Sequence, residues 1–220
     1  LVLMGKDDHD GAIFNFKKAL EIDPTQYHTH YNIGVLLEKQ GELEAAIASY
    51  DQAIKIEPKH VEAHHGKGNA LRELGELEAA IASYEQAITL KPDYAESYRN
   101  IGLVLMGKDD HDGAIFNFKK VLEIDPTQSR THYNIGVSFD EIKDHIQAKS
   151  SFERALDLDP QYTQAYYSYS VLLRDMGELA ESFTSIIRAL ELQPDNKLCW
   201  VSVLFTLKTL EFSSSLNKGE

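Results

Sequence analysis

Nine histidines and two acidic runs are the residues of this 220-residue sequence best suited to chemistry. His60 and His64 are four apart, so on a helix they share a face, the spacing at which two imidazoles reach one metal ion; His65 adjoins them. His28 and His30 form a second pair, and His9 and His111 sit inside the runs Asp7-Asp8-His9-Asp10 and Asp109-Asp110-His111-Asp112. Those runs lack the alternating ligand spacing of a calcium loop and are expected to be solvated turns leading into helix N-caps. There is no glycine-rich phosphate loop, no nucleophile elbow and, with Cys199 the single cysteine, no cysteine pair for zinc. The expectation is a protein that is not an enzyme and holds neither cofactor nor metal.

A different set of polar residues is organised by spacing. Asn32, Asn100 and Asn134 lie on one lattice of 34 residues, and so do Pro24, Pro58, Pro92, Pro126, Pro160 and Pro194. Residues 103–128 recur at residues 1–26 with one difference, Val121 against Ala19. A fixed period of this length marks a repeat array. The full units are residues 27–60, 61–94, 95–128, 129–162 and 163–196, with a partial unit at 1–26, a final helix at 197–212 and a frayed tail at 213–220. Each unit carries two apolar segments of helical period, separated by a polar break and closed by the proline, which ends a helix by restricting the residue before it and lacking an amide hydrogen. Gly41, Gly75 and Gly177 fall at the break, where a left-handed residue ends a helix; Asp109 and Lys143 replace them in two units, so those turns are expected to be less ideal.

Composition narrows the partners. Thirty-five acidic against 22 basic residues give a formal net charge of −13, which argues against nucleic acid and anionic membrane surfaces. No apolar run is long enough to span a bilayer, and one cysteine cannot form an internal disulfide, so a cytoplasmic location is expected.

Within each unit, small residues (Gly34, Gly68, Gly102, Gly136; Ala46, Ala80, Ala114, Ala148) alternate with large ones (Tyr50, Tyr84, Phe118, Phe152, Ile186), the pattern of interdigitating antiparallel helices. These residues, with the Ile-Gly pairs at 33–34, 101–102 and 135–136 and the closing proline, resemble the tetratricopeptide repeat over about residues 1–210. The resemblance implies an all-α, right-handed superhelical solenoid of antiparallel helix pairs, acting as a protein-interaction scaffold that takes an extended peptide or partner helix in a concave groove lined by first helices. The place of the family's first aromatic holds His30, His64 and His132 in three units, which makes His64 a packed residue rather than a ligand. The groove residues expected are Tyr31, Asn32, His65, Asn69, Arg72, Arg99, Asn100, Arg130, Tyr133, Asn134 and Tyr167, with Arg174 a further positive point. A row of carboxamides can bond a peptide backbone whatever its sequence, and the repeat domain of O-linked N-acetylglucosamine transferase carries a similar asparagine ladder. Some family members grip a terminal carboxylate with a clamp whose places hold His65, Asn69, Asn100, Arg130 and Asn134 here; with a lysine and an arginine replaced, such a grip would be weak.

Leu1 falls about nine residues into a unit, so the sequence is expected to begin inside a helix and to come from a longer protein. An alternative role follows, a substrate-recruiting arm of a glycosyltransferase or sulfotransferase. The helix at 197–212 is apolar nearly all round, where a terminal cap should be polar. Leu1, Leu3, Leu198, Trp200, Val201, Leu204 and Phe205 are therefore the expected contacts of a homo-oligomer.

Overall fold

The computed structural model describes residues 9–216, and among these the secondary structure is twelve α-helices with no strand. They are α1 (His9–Ile22), α2 (Tyr27–Gln40), α3 (Leu43–Ile56), α4 (Val61–Glu73), α5 (Leu77–Leu90), α6 (Ala95–Gly107), α7 (His111–Ile124), α8 (Ser129–Glu141), α9 (His145–Leu158), α10 (Thr163–Asp175), α11 (Leu179–Leu192) and α12 (Lys197–Leu216). Even-numbered helices from α2 open the 34-residue units and odd-numbered ones close them. The architecture is an all-α repeat solenoid. It falls into two compact units, Leu1–Val104 and Leu105–Glu220.

The helix ends follow from the residues placed there. Gly41, Gly75 and Gly177 take φ of 81°, 83° and 81°. Asp109 and Lys143 take φ of 60° and 64° in the equivalent places, a conformation that strains a side chain with a Cβ. Asp110 Oδ1 accepts the Gly113 amide at 3.0 Å and so caps α7, as the turn-and-cap reading of that run expects. In the earlier copy of the run, Asp7 and Asp8 lie outside the described residues, as do Leu1 and Leu3. The last helix continues through Ser213, Ser214 and Ser215 to Leu216, past the expected stop at 212, because serine is only mildly unfavourable in a helix.

In the first unit Tyr50 and Tyr84 are fully buried, and in the second Phe118, Phe152 and Ile186 are. In three units the aromatic of the second helix fits against a glycine of the first helix. A Cβ on Gly34 would stand 2.7 Å from the Tyr50 ring, on Gly68 2.6 Å from Tyr84, and on Gly136 2.8 Å from Phe152. No side chain larger than hydrogen fits there without displacing a buried ring. At the C-terminal end the fully buried Cys199 packs with Ile186, Ala189, Leu190 and Val203, which seats α12 against α11.

Candidate functional site

Successive first helices touch within each unit: α2 against α4 in the first, α8 against α10 and α10 against α12 in the second. On α4, His65, Asn69 and Arg72 follow at i, i+4 and i+7 and form one stripe. Asn69 Oδ1 accepts from both Tyr84 OH (2.9 Å) and Asn100 Nδ2 (2.8 Å), so the carboxamides of neighbouring repeats are bridged. His65 Nδ1 is hydrogen-bonded to Ser97 Oγ at 3.0 Å, and its ring packs on Tyr84 and Tyr94 with centroids 5.4 and 5.2 Å away. Burial, joined by the positive charges of Arg72 and Arg99 and opposed by Glu96, pulls the His65 pKa down to about 4. This imidazole is neutral at pH 7 and adds no charge to the stripe.

Arg72 is the other end of the stripe. Its Nε is buried with no hydrogen-bond partner. An unpaired buried N–H is unfavourable by about 1–3 kcal/mol, a cost the fold carries at this position. Glu38 lies within electrostatic reach, but burial raises its carboxyl pKa, and its Oε2 accepts the Tyr50 hydroxyl at 2.6 Å. Tyr31 is half-buried, its ring 4.9 Å from that of His60, while Asn32 is exposed and Arg99 half-buried.

In the second unit Arg130 is exposed and Asn134 buried. Tyr133 is only 9% exposed, with its ring against Phe152 and Tyr162 and its hydroxyl 3.3 Å from Ser168 Oγ. Tyr133 is thus mostly core, whereas Tyr167 is half-buried and lines an open cleft. That cleft, about 370 Å³, is bounded by Gln164, Tyr167, Ser168, Gln193, Asn196 and Leu198. Of its walls, Tyr167, Leu198 and Ser168 (at the lattice place of Asn32, Asn100 and Asn134) follow from the sequence; Gln193 and Asn196 sit in the loop before α12, where helical periodicity says nothing.

Four of the histidines are held by local bonds. His60 Nδ1 accepts the Ala63 amide at 3.2 Å and caps α4. His30, His64 and His132 each place Nε2 within 3.0–3.2 Å of the carbonyl of the proline six residues earlier, and Trp200 Nε1 donates to Pro194 O at 2.8 Å in the same way. The ring N–H of the family's first aromatic place is therefore an anchor to the preceding loop. The constant separation of six residues from the proline was its signal in the sequence. Among the described residues, no three or more His, Cys, Asp or Glu side chains are grouped to hold a metal ion, and no helix is long and apolar enough to cross a membrane.

The fold therefore defines a helical solenoid of 34-residue paired-helix repeats. Tetratricopeptide repeat profiles match residues 28–60, 49–82, 95–128, 129–162 and 163–196, and a TPR repeat profile matches 2–41 and 68–109. The chain belongs to the tetratricopeptide repeat family. Among solved structures it is similar to YrrB, described as a TPR protein with an unusual peptide-binding site (22% identity, TM-score 0.72, 85% of this chain and 96% of that one). It is also similar to MamA from Desulfovibrio magneticus RS-1 (19%, 0.72, 78% and 97%) and to pilF of Pseudomonas aeruginosa (18%, 0.73, 94% and 90%). At these identities the likeness is one of fold. A search of curated proteins found no match.

Proposed function

We propose that the chain is a protein-interaction scaffold whose first-helix face takes an extended peptide or a partner helix. The observation that carries this is the His65–Asn69–Arg72 stripe on α4, with the half-buried Arg72 guanidinium at its end. Beside it the bridged Asn69–Asn100 pair keeps one Asn69 amino group and the Asn100 oxygen for a ligand's main chain. The peptide-binding site named for YrrB is consistent with this use of the fold.

Selection of peptides displayed against the full chain tests the reading, followed by affinity measurement on Arg72→Gln. Selected peptides are expected to lose about tenfold or more in affinity with that variant, the loss expected for one hydrogen bond to a charged group. Unchanged affinity, with helicity preserved, would remove Arg72 and its stripe from the binding face.

A second reading is favoured at α12. Leu198, Trp200, Val201, Leu204 and Phe205 are 63, 54, 50, 58 and 61% exposed, a density of large apolar side chains typical of an interface. Self-association through α12 would cover them, and sedimentation velocity checks it.

A further inference from the structure

The cleft beside α12 differs in chemistry from the α4 stripe. None of its six lining residues is charged, in a chain of formal net charge −13. Asn196 is occupied by the fold: its Oδ1 accepts the Leu198 and Cys199 amides, and its Nδ2 donates to Gln193 Oε1 at 3.3 Å. That arrangement fixes the Gln193 carboxamide and leaves its Nε2 as a donor. Across the opening, the Gln164 side chain has no hydrogen-bond partner among the described residues. The apolar wall is Leu198 and the Tyr167 ring, and it continues along α12 through Val201 and Phe205 at i+3 and i+7 from Leu198. Arg174 stands 6.0 Å over the Phe205 ring and closes that stripe.

We propose that this cleft binds one bulky apolar side chain of an extended peptide, with the Gln164 and Gln193 carboxamides bonding the peptide's main chain on either side. The inference rests on the peptide-binding reading and adds to it the chemistry of the ligand. A charged side chain would find no counter-charge among the six lining residues, whereas a bulky apolar one buries area against Leu198 and the Tyr167 ring. A small apolar molecule would fill the wall but leave both carboxamides unmet, whereas a peptide offers an N–H and a C=O at each residue. The size fits as well: the cleft falls at the small end of the range of ligand sites.

The test is a titration of the isotope-labelled full chain with three blocked pentapeptides, Ser-Gly-Phe-Gly-Ser, Ser-Gly-Ser-Gly-Ser and Ser-Gly-Glu-Gly-Ser, followed by NMR at millimolar peptide. The Phe peptide is expected to shift the amide signals of Tyr167, Ser168 and Leu198, and the other two are not. Leu198→Glu, a change at an exposed site near a helix N-terminus, is expected to weaken the Phe peptide about tenfold, the worth of burying one large apolar side chain. Absence of shifts at those three residues overturns the proposal, and so does equal binding of the Glu peptide. Toluene, the Phe side chain without a main chain, binding as tightly as the pentapeptide would overturn the main-chain part. Shifts confined to Asn69 and Asn100 would overturn the cleft while leaving peptide binding intact; a display selection that yields no binder would overturn peptide binding itself.

Discussion

At the scale of single residues, histidine plays three structural parts here. His60 is a helix cap, His30, His64 and His132 are loop anchors, and His65 is a buried neutral ring on the first-helix face. The third has a consequence for acid stability. Its folded pKa of about 4 lies below the unfolded value near 6.5, so the unfolded chain takes up the proton first. The His65 contribution is therefore complete above pH 6.5, declines as pH falls from 6.5 to 4, and is fully lost below that. The loss amounts to about 3 kcal/mol at most. Urea unfolding across this window is expected to show a flatter pH profile in His65→Gln than in the parent chain, with the two profiles parallel above pH 6.5. Parallel profiles throughout would mean that His65 titrates normally. The burial that produces the shift was not legible in the sequence, since part of what encloses the ring, Ser97, lies in the next repeat at no special spacing; His65 itself was.

At the scale of elements, one atom decides how closely a first helix approaches the second helix of its unit. Alanine is a better helix former than glycine by about 1 kcal/mol, yet at Gly68 the added methyl carbon would meet a fully buried Tyr84 ring at 2.6 Å. Overpacking of about 1–3 kcal/mol outweighs propensity there. At Gly107, the last residue of α6, a Cβ meets nothing within 4 Å, and propensity acts alone. Thermal denaturation is expected to show Gly68→Ala less stable and Gly107→Ala unchanged or up to about 1 kcal/mol more stable. Equal shifts of the same sign would contradict the packing argument. The sequence already distinguished these glycines, because Gly34, Gly68 and Gly136 sit on the 34-residue lattice opposite an aromatic and Gly107 does not. It distinguished Leu204 too, which takes that small place in α12 and is 58% exposed.

At the scale of the whole molecule, the period made the fold legible while leaving the ligand obscure. Helix order, breaks and the buried small and large residues all follow from the proline lattice and the apolar period, since each repeat satisfies itself with its neighbours. The cleft beside α12 was only partly legible: Tyr167 shares its lattice place with Tyr31 and Tyr133, but Gln193 and Asn196 sit in a loop and have no counterpart of the same type in the other full repeats. Recurrence favours what the fold needs, so a binding feature held by one repeat leaves no periodic trace. The apolar face of α12 is also particular to one repeat, and it bears on assembly. Sedimentation velocity is expected to show concentration-dependent association that Leu204→Glu abolishes, while the variant keeps its helicity. A concentration-independent monomer would rule out the α12 contact.

Cys199, the only cysteine in the chain, is fully enclosed on the face of α12 that packs against α11, and burial raises its thiol pKa. A thiol-directed reagent can reach it only when α12 lifts away from α11. The rate of alkylation in the native state is thus a clock for the opening of that one helix. Any ligand that bridges α10 and α12 would slow it, and occupancy could then be followed without a label on the ligand.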